Sequence, residues 1–277
     1  MHQKRPNLPA SILASIKARK NRGEGVHSVH DRDSGMLIAS YNVHKCVGVD
    51  RRFDPHRIAH VIGEMRADIV AVQEADKRFG RRVGLLDTAT LKEHGLGLLP
   101  LSRLPDGHGW HGNALLVRRG SLIRAECIDL PGAEPRGAVV AELDLPAGRL
   151  RVVAAHFGLL RRCRMRQGAA ILEAIRRGPE MPTIMMGDLN EWRPGRRSSL
   201  RLLEPLFGTL AFGPASFPSR LPVLALDRIL GWPRGILAGV QAHDTPLARI
   251  ASDHLPLKAR LNLAAAAGAV PLRAAAA

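Results

Sequence analysis

Polar residues whose types suit acid–base chemistry stand at the ends of apolar runs. Asn42 closes MLIASYN (36–42), and Glu74 closes IVAVQE (69–74). His156 ends RLRVVAAH (149–156), and Asp188 and Asn190 follow PTIMMG (182–187). Asp227 is embedded in LALDRIL (224–230), and Asp253 and His254 precede LPLKARLNL (255–263). Open α/β sheets bind ligands and place catalysts at their strand ends. Several carboxylates with two histidines and two asparagines in that position suit proton transfer and the holding of a charged ligand.

Each candidate has a reading in chemistry and one in plain structure. The carboxylate of Glu74 needs either water or a cation to neutralise it, and a hard ion such as Mg2+ serves. In GDLN (187–190), Gly187 permits a tight turn after the run. Asp188 and Asn190, two apart, point the same way if the chain stays extended, and a carboxylate and an amide together can polarise a water. The same residue types also build simple Asp/Asn turns. Ser252-Asp253-His254 suggests a Ser-His-Asp triad, but adjacent side chains diverge in an extended chain, and no G-x-S-x-G elbow occurs. Asp227, isolated among Leu224, Ala225, Leu226, Ile229 and Leu230, is the better partner for His254. A buried Asp needs a partner, and a His supplies one; the alternative is a surface pair with Arg228. His27-x-x-His30-Asp31-x-Asp33 lacks the spacing of binuclear hydrolases, and His108 and His111 read as residues of a Gly-rich loop. There is no HExxH, Walker A or convincing GxGxxG motif.

The elements that must position these groups are legible. DPHRIAHVIGEMR (54–66) is a helix, with Asp54 as N-cap, Pro55 in the first turn, and Ile58, Val61, Ile62 and Met65 on one face. Residues 161–177 form another, with Met165, Ala169, Leu172 and Ile175 expected inward. Successive strands fill 113–157, separated by turns at Gly120, Pro131 and Gly148. Strands and helices mixed at this density imply an α/β protein with sheets covered by helices.

The chain has 277 residues, 45% of them hydrophobic and 24% charged, which suffices for a sizeable core and excludes wholesale disorder. One domain is expected over 35–263. Residues 1–34, with seven Lys/Arg against three acids, form a basic arm suited to an anionic membrane, and the Ala-rich tail 264–277 is expected to be disordered. The formal charge of +16 favours polyanionic partners. Cys46, Cys127 and Cys163 form no CxxC, which fits a reducing compartment. With no apolar run of spanning length and no signal-peptide core, a cytoplasmic location is expected.

SYNVH (40–44), DIVAVQE (68–74), HGNALL (111–116), AAHFG (154–158), MMGDLN (185–190), LDRIL (226–230) and SDHLPL (252–257) occur in this order. In that arrangement the chain resembles the endonuclease/exonuclease/phosphatase superfamily, with its deoxyribonuclease I-like fold. The resemblance implies two mixed β-sheets face to face with outer helices, a four-layer α/β/β/α sandwich. It implies hydrolysis of phosphoesters with Mg2+ or Mn2+. Glu74 then resembles the principal metal ligand, with Asn42 and Asp253 nearby. Asp188 and Asn190 resemble the pair that activates water, while His254, oriented by Asp227, and His156 resemble the groups on the scissile phosphate. Asn42, Asn113 and Arg136 fall on the substrate side, although Arg136, in a turn after Pro135, also reads as a solvated arginine.

YNVH (41–44) and VQEA (72–75) depart from the W-N-x-N-G and L-Q-E-T of abasic-site endonucleases. The run from Asn42 and His44 to Asp50 is more similar to a small bacterial branch related to neutral sphingomyelinases and lipid-remodelling proteins. Lys77, Arg78, Arg81 and Arg82, and likewise Arg161, Arg162, Arg164 and Arg166, leave site strands and are expected to ring its mouth. Such a rim suits nucleic-acid backbones and anionic lipid head groups alike. The expected activity is phosphodiester hydrolysis on nucleic acid or phospholipid, with no obligate protein partner. Phosphomonoester hydrolysis on an inositol phosphate, or non-catalytic nucleic-acid binding, are the alternatives.

Overall fold

A computed structural model describes residues 35–77, 80–193, 195–210 and 213–263. The basic arm 1–34, the tail 264–277, Arg78 of the expected rim and the His27–Asp33 cluster lie outside the described residues.

The apolar runs become two mixed sheets. The first contains β1 (Met36–Asn42), β2 (Ile69–Gln73), β3 (Gly97–Leu98), β4 (Ala114–Val117), β10 (Leu237–Ala242) and β11 (Leu257–Leu261), in the order β10-β11-β1-β2-β4-β3. The second contains β5 (Ser121–Leu130), β6 (Arg136–Leu145), β7 (Gly148–His156), β8 (Thr183–Asp188) and β9 (Asp227–Trp232), in chain order. β1–β2 and β7–β8 pair in parallel, and their neighbours pair antiparallel.

Alternate residues of each strand face opposite layers. Ile38, Ile69 and Leu115 meet Val139, Val152 and Ile184 between the sheets. The outer face of the first sheet, with Ala39, Tyr41 and Val70, is covered by helix α1 (Pro55–Met65) through Ile58, Val61, Ile62 and Met65. Asp54 caps α1 by accepting from Arg57 N at 2.9 Å, and Pro55 occupies its first turn. The short helix α2 (Thr88–Glu93) lies on the same side. The second sheet's outer face, with Val140, Val153 and Met185, is covered by helix α3 (Arg161–Arg177) through Ile171, Leu172 and Ile175. These layers are the α/β/β/α sandwich expected from the sequence.

The inward stripe of α3 is rotated from its expected position. Met165 and Ala169 are exposed, and Arg164, Gln167 and Gly168 take their place. Arg164 is fully buried, with Nη2 3.2 Å from Glu191 Oε2 and Nε 3.0 Å from Ser199 Oγ. Arg164 is therefore not part of a basic rim. A buried ion pair with hydrogen bonds sits in the core, where hydropathy alone puts an apolar residue.

Candidate active site

The site grows from the layer between the sheets. Ile38 faces that layer, and so, two and four residues on, do Ser40 and Asn42. The same period takes Leu115 back to Asn113, Val152 and Ala154 on to His156, Ile184 and Met186 on to Asp188, and Ile229 back to Asp227. Each apolar stripe thus ends in a polar group at the same edge of the sandwich. Register then sets the row: His156 lies beside Asp188 across β7 and β8, and Asp188 lies opposite Asp227 across β8 and β9.

Two carboxylates directly opposed on neighbouring strands repel. His254, from the loop before β11, relieves this. Its Nδ1 donates to Asp227 Oδ2 at 2.8 Å, and its Nε2 lies 3.8 Å from Asp188 Oδ2. Burial works against the imidazolium, but Asp227 and then Asp188 overcome it and push His254 up to about 10. Ser216 Oγ also donates to Asp227 Oδ2, and Phe217 packs on the His254 ring at 4.9 Å between centroids. Asp227 Oδ1 is buried without a hydrogen-bond partner among the described residues. Ser252 Oγ turns instead to the Asn42 carbonyl at 2.7 Å, so the adjacent Ser-Asp-His forms no triad.

Asp188 is 2% exposed, and burial raises its carboxyl to about 6 against the opposing pull of His254. Asn42 Nδ2 donates to its Oδ2 at 3.0 Å, and Asn190 N donates to its Oδ1 at 3.0 Å. The chain does not stay extended here. Asn190 has φ 51°, and its side-chain amide donates to the Phe157 carbonyl at 2.9 Å. The turn reading and the site reading of GDLN therefore coincide: Asn190 fixes the turn that holds Asp188. Gly187 is required in it, with φ 154° and no room for a Cβ beside the Ala155 carbonyl oxygen.

His156 Nε2 lies 3.4 Å from Asp188 Oδ2, and Arg136 Nη1 lies 2.7 Å from the same ring nitrogen. Arg136 is buried rather than solvated, and Glu134 Oε2 accepts from its Nη2 at 2.8 Å. Arg136 and His156 line an open-mouthed pocket with Lys45, Glu74, Asp76, His111 and Pro135. Burial pushes Asp76 up to about 6. Burial pushes Glu74 up as well, but Lys45 outweighs it and holds the carboxyl below its ordinary value.

Lys45 was not legible as a site residue. It sits in three consecutive left-handed residues, His44 (φ 46°), Lys45 (φ 56°) and Cys46 (φ 59°), none of them Gly, Asn or Asp. Such backbone costs roughly 1–2 kcal/mol per residue, and strain of this kind concentrates at functional sites. The turn brings Lys45 Nζ to 2.6 Å from Glu74 Oε2.

A divalent ion suits Glu74 in charge and in oxygen chemistry. The ammonium of Lys45 is the supporting observation: this carboxylate accommodates a cation, in a place that a metal ion would take over. The rest of the expected ligand set does not gather. Asn42 gives Nδ2 to Asp188, and its Oδ1 accepts from His44 N at 3.0 Å. Asp253 Oδ1 lies 3.4 Å from Ser252 Oγ and 3.9 Å from His44 Nδ1. Among the described residues, no three His, Cys, Asp or Glu side chains converge on one metal position. Asn113, expected on the substrate side, is fully buried, and its Nδ2 donates to the Gly137 carbonyl at 2.9 Å.

A model of the Endonuclease/Exonuclease/phosphatase family matches residues 39–254. No curated protein sequence matches the chain. Among solved structures, a functionally unknown conserved protein from Enterococcus faecalis V583 aligns with TM-score 0.65 and 20% identity, over 82% of this chain and 99% of that one. D. rerio TDP2 complexed with a single-strand DNA product aligns with TM-score 0.59 and 16% identity, over 83% and 100%. The human Nocturnin catalytic domain with bound sulfate aligns with TM-score 0.57 and 20% identity, over 82% and 94%. At these identities the likeness is one of fold.

Proposed function

The chain belongs to the Endonuclease/Exonuclease/phosphatase family, whose members hydrolyse phosphoesters, and from that premise we propose that it is a phosphodiesterase acting on nucleic acid or phospholipid. One observation carries the reading: an imidazolium fixed between two buried carboxylates, behind a pocket that also presents Arg136, His156 and Lys45.

Attack on a phosphodiester adds negative charge to a group that is already anionic. Preformed positive donors stabilise that charge where it develops. His254, charged up to about pH 10, and Arg136, with Nη1 2.7 Å from His156 Nε2, supply such donors. Asp188, raised to about 6, is ionised at neutral pH yet basic enough to take a proton from the attacking water. Asn42 and the Asn190 amide hold its two oxygens in place. The water oxygen bonds to phosphorus and the ester oxygen leaves. A Mg2+ or Mn2+ ion at Glu74 would add Lewis-acid stabilisation of the phosphoryl oxygens. The charge of +16 suits a polyanionic substrate, and the TDP2 relative is seen with a DNA product.

The test is turnover of bis(p-nitrophenyl) phosphate beside p-nitrophenyl phosphate, with Mg2+, Mn2+ or EDTA. Plasmid, RNA, sphingomyelin, phosphatidyl lipids and inositol phosphates follow. Diester cleavage that EDTA abolishes, and that falls by about 10²–10⁴ in Asp188→Ala and His254→Ala, supports the reading. Preference for the monoester overturns the substrate class. Salt-sensitive DNA binding without turnover overturns the enzyme.

A further inference from the structure

Helix α1 carries a feature that the phosphoesterase site does not use. His56 and His60, one turn apart on its surface, bring their Nε2 atoms to 2.9 Å with ring planes at 85°. His56 Nδ1 lies 3.1 Å from Asp87 Oδ2 and 3.0 Å from Thr90 Oγ1, both at the start of α2. Asp87 also accepts from Thr90 N at 3.1 Å and from Thr90 Oγ1 at 2.8 Å, so it acts as an acceptor throughout this cluster. The proton of His56 is therefore on Nδ1, and its Nε2 presents a lone pair.

We propose that His56 and His60 form a surface site for a transition-metal ion that favours imidazole, Cu2+ or Ni2+ ahead of Zn2+. In the structure His60 Nε2 donates to the His56 lone pair, and when the His60 proton moves to Nδ1 the two Nε2 atoms become free to share one ion. Metal–imidazole bonds of about 2.0–2.1 Å at right angles put the two nitrogens about 2.9 Å apart, and a tetrahedral angle puts them about 3.3 Å apart. The observed 2.9 Å is the right-angle value, the geometry of square-planar or octahedral ions, and Zn2+ needs the rings to open by a few tenths of an ångström.

Asp87 completes the arrangement. A carboxylate on the far nitrogen of a ligating His fixes the tautomer and raises its basicity. The His56 side chain is 62% exposed, so an ion enters from solvent and water fills the remaining positions. No third His, Cys, Asp or Glu side chain among the described residues completes a protein-only site. The proposal is thus a two-nitrogen site. It is also independent of the hard, oxygen-donor chemistry at Glu74.

The experiment is calorimetric titration of the full chain with Cu2+, and separately Ni2+, with the Cu2+ electron paramagnetic resonance spectrum recorded. Wild type, His60→Gln and Asp87→Asn are compared, each checked for fold by circular dichroism. His60→Gln should lose one equivalent of Cu2+ binding together with its nitrogen hyperfine lines. Asp87→Asn should weaken that equivalent by about 10–100-fold. Phosphodiester turnover should not change in either variant. An unaltered stoichiometry and spectrum in His60→Gln overturn the site. An unaltered affinity in Asp87→Asn overturns the role given to Asp87.

Discussion

Asp227→Asn removes the charge facing His254 Nδ1 at 2.8 Å while keeping shape and an acceptor oxygen. In the native array, burial opposes the imidazolium, and Asp227 and Asp188 carry it from 6.5 to about 10. At about 1.4 kcal/mol per pH unit, that displacement favours the charged form by about 5 kcal/mol. With an effective dielectric of about 20, a charge at 2.8 Å contributes about 6 kcal/mol and one at 3.8 Å about 4 kcal/mol. Losing the larger attraction leaves burial and Asp188 nearly balanced, and His254 returns to about 6.5 or lower. The ring-proton NMR titration of His254 and the alkaline limb of kcat/KM should therefore both fall from near pH 10 by about three and a half pH units or more.

Stability gives a second reading with a definite sign. A His raised in the native state stabilises fully below pH 6.5 and loses that contribution as pH rises through about 10. Urea unfolding should then show a deficit for Asp227→Asn of about 3–5 kcal/mol at pH 6, shrinking towards pH 10. A titration that remains near pH 10, or a deficit equal at both pH values, refutes the electrostatic account of this array.

Asp188→Asn should lower kcat by about 10³-fold, near the middle of the range for a general base. Because burial raises its carboxyl to about 6, its charge disfavours the fold above that pH, and the melting temperature of the variant at pH 8 should match or exceed wild type. Lys45→Met leaves Glu74 half-buried without its ammonium. Mn2+ should then raise the variant's melting temperature more than that of wild type, as read by scanning calorimetry, and equal shifts would contradict a metal ion taking over the place of the ammonium. Arg164→Ala strands the buried Glu191 carboxylate and should cost about 3–5 kcal/mol in urea unfolding, with KM for a DNA substrate unchanged.

Much of this architecture was legible because polar residues close apolar runs, and because the ordered motifs resemble a family with a two-sheet sandwich; the pleat's period of two explains why the run ends mark the site. A polar residue two positions beyond a buried apolar one continues its face, which is why Asp188 after Ile184 and Met186 marks the site. The pairing of Asp227 with His254 followed from the cost of an isolated buried Asp. Register, by contrast, belongs to both strands, and no single segment announces that His156, Asp188 and Asp227 stand in one row. Lys45 stayed hidden because its left-handed turn uses residues that give no turn signal. Arg164 misled for the opposite reason: it lies in an arginine-rich run, and its partner Glu191 is 27 positions away in sequence.

The site and the packing of the sandwich depend on one another. Asn42 belongs to the first sheet and Asp188 to the second, and the 3.0 Å bond between them spans the inter-sheet layer. His254 crosses the same layer from the loop before β11 to reach Asp227 on β9. Ser252 joins the two crossings, because its hydroxyl bonds the Asn42 carbonyl and accepts from His254 N at 3.3 Å. Each carboxylate in the row is costly when the sheets close, since burial takes it out of water. Ser216 and the Asn190 backbone offset part of that cost from nearby, and His254 and Asn42, arriving from the opposite sheet, add the cation and a further donor. An offset slip of either sheet would leave two opposed carboxylates with no cation between them. The polar edge therefore selects the sheet-to-sheet alignment that the apolar layer, being non-directional, leaves less sharply defined.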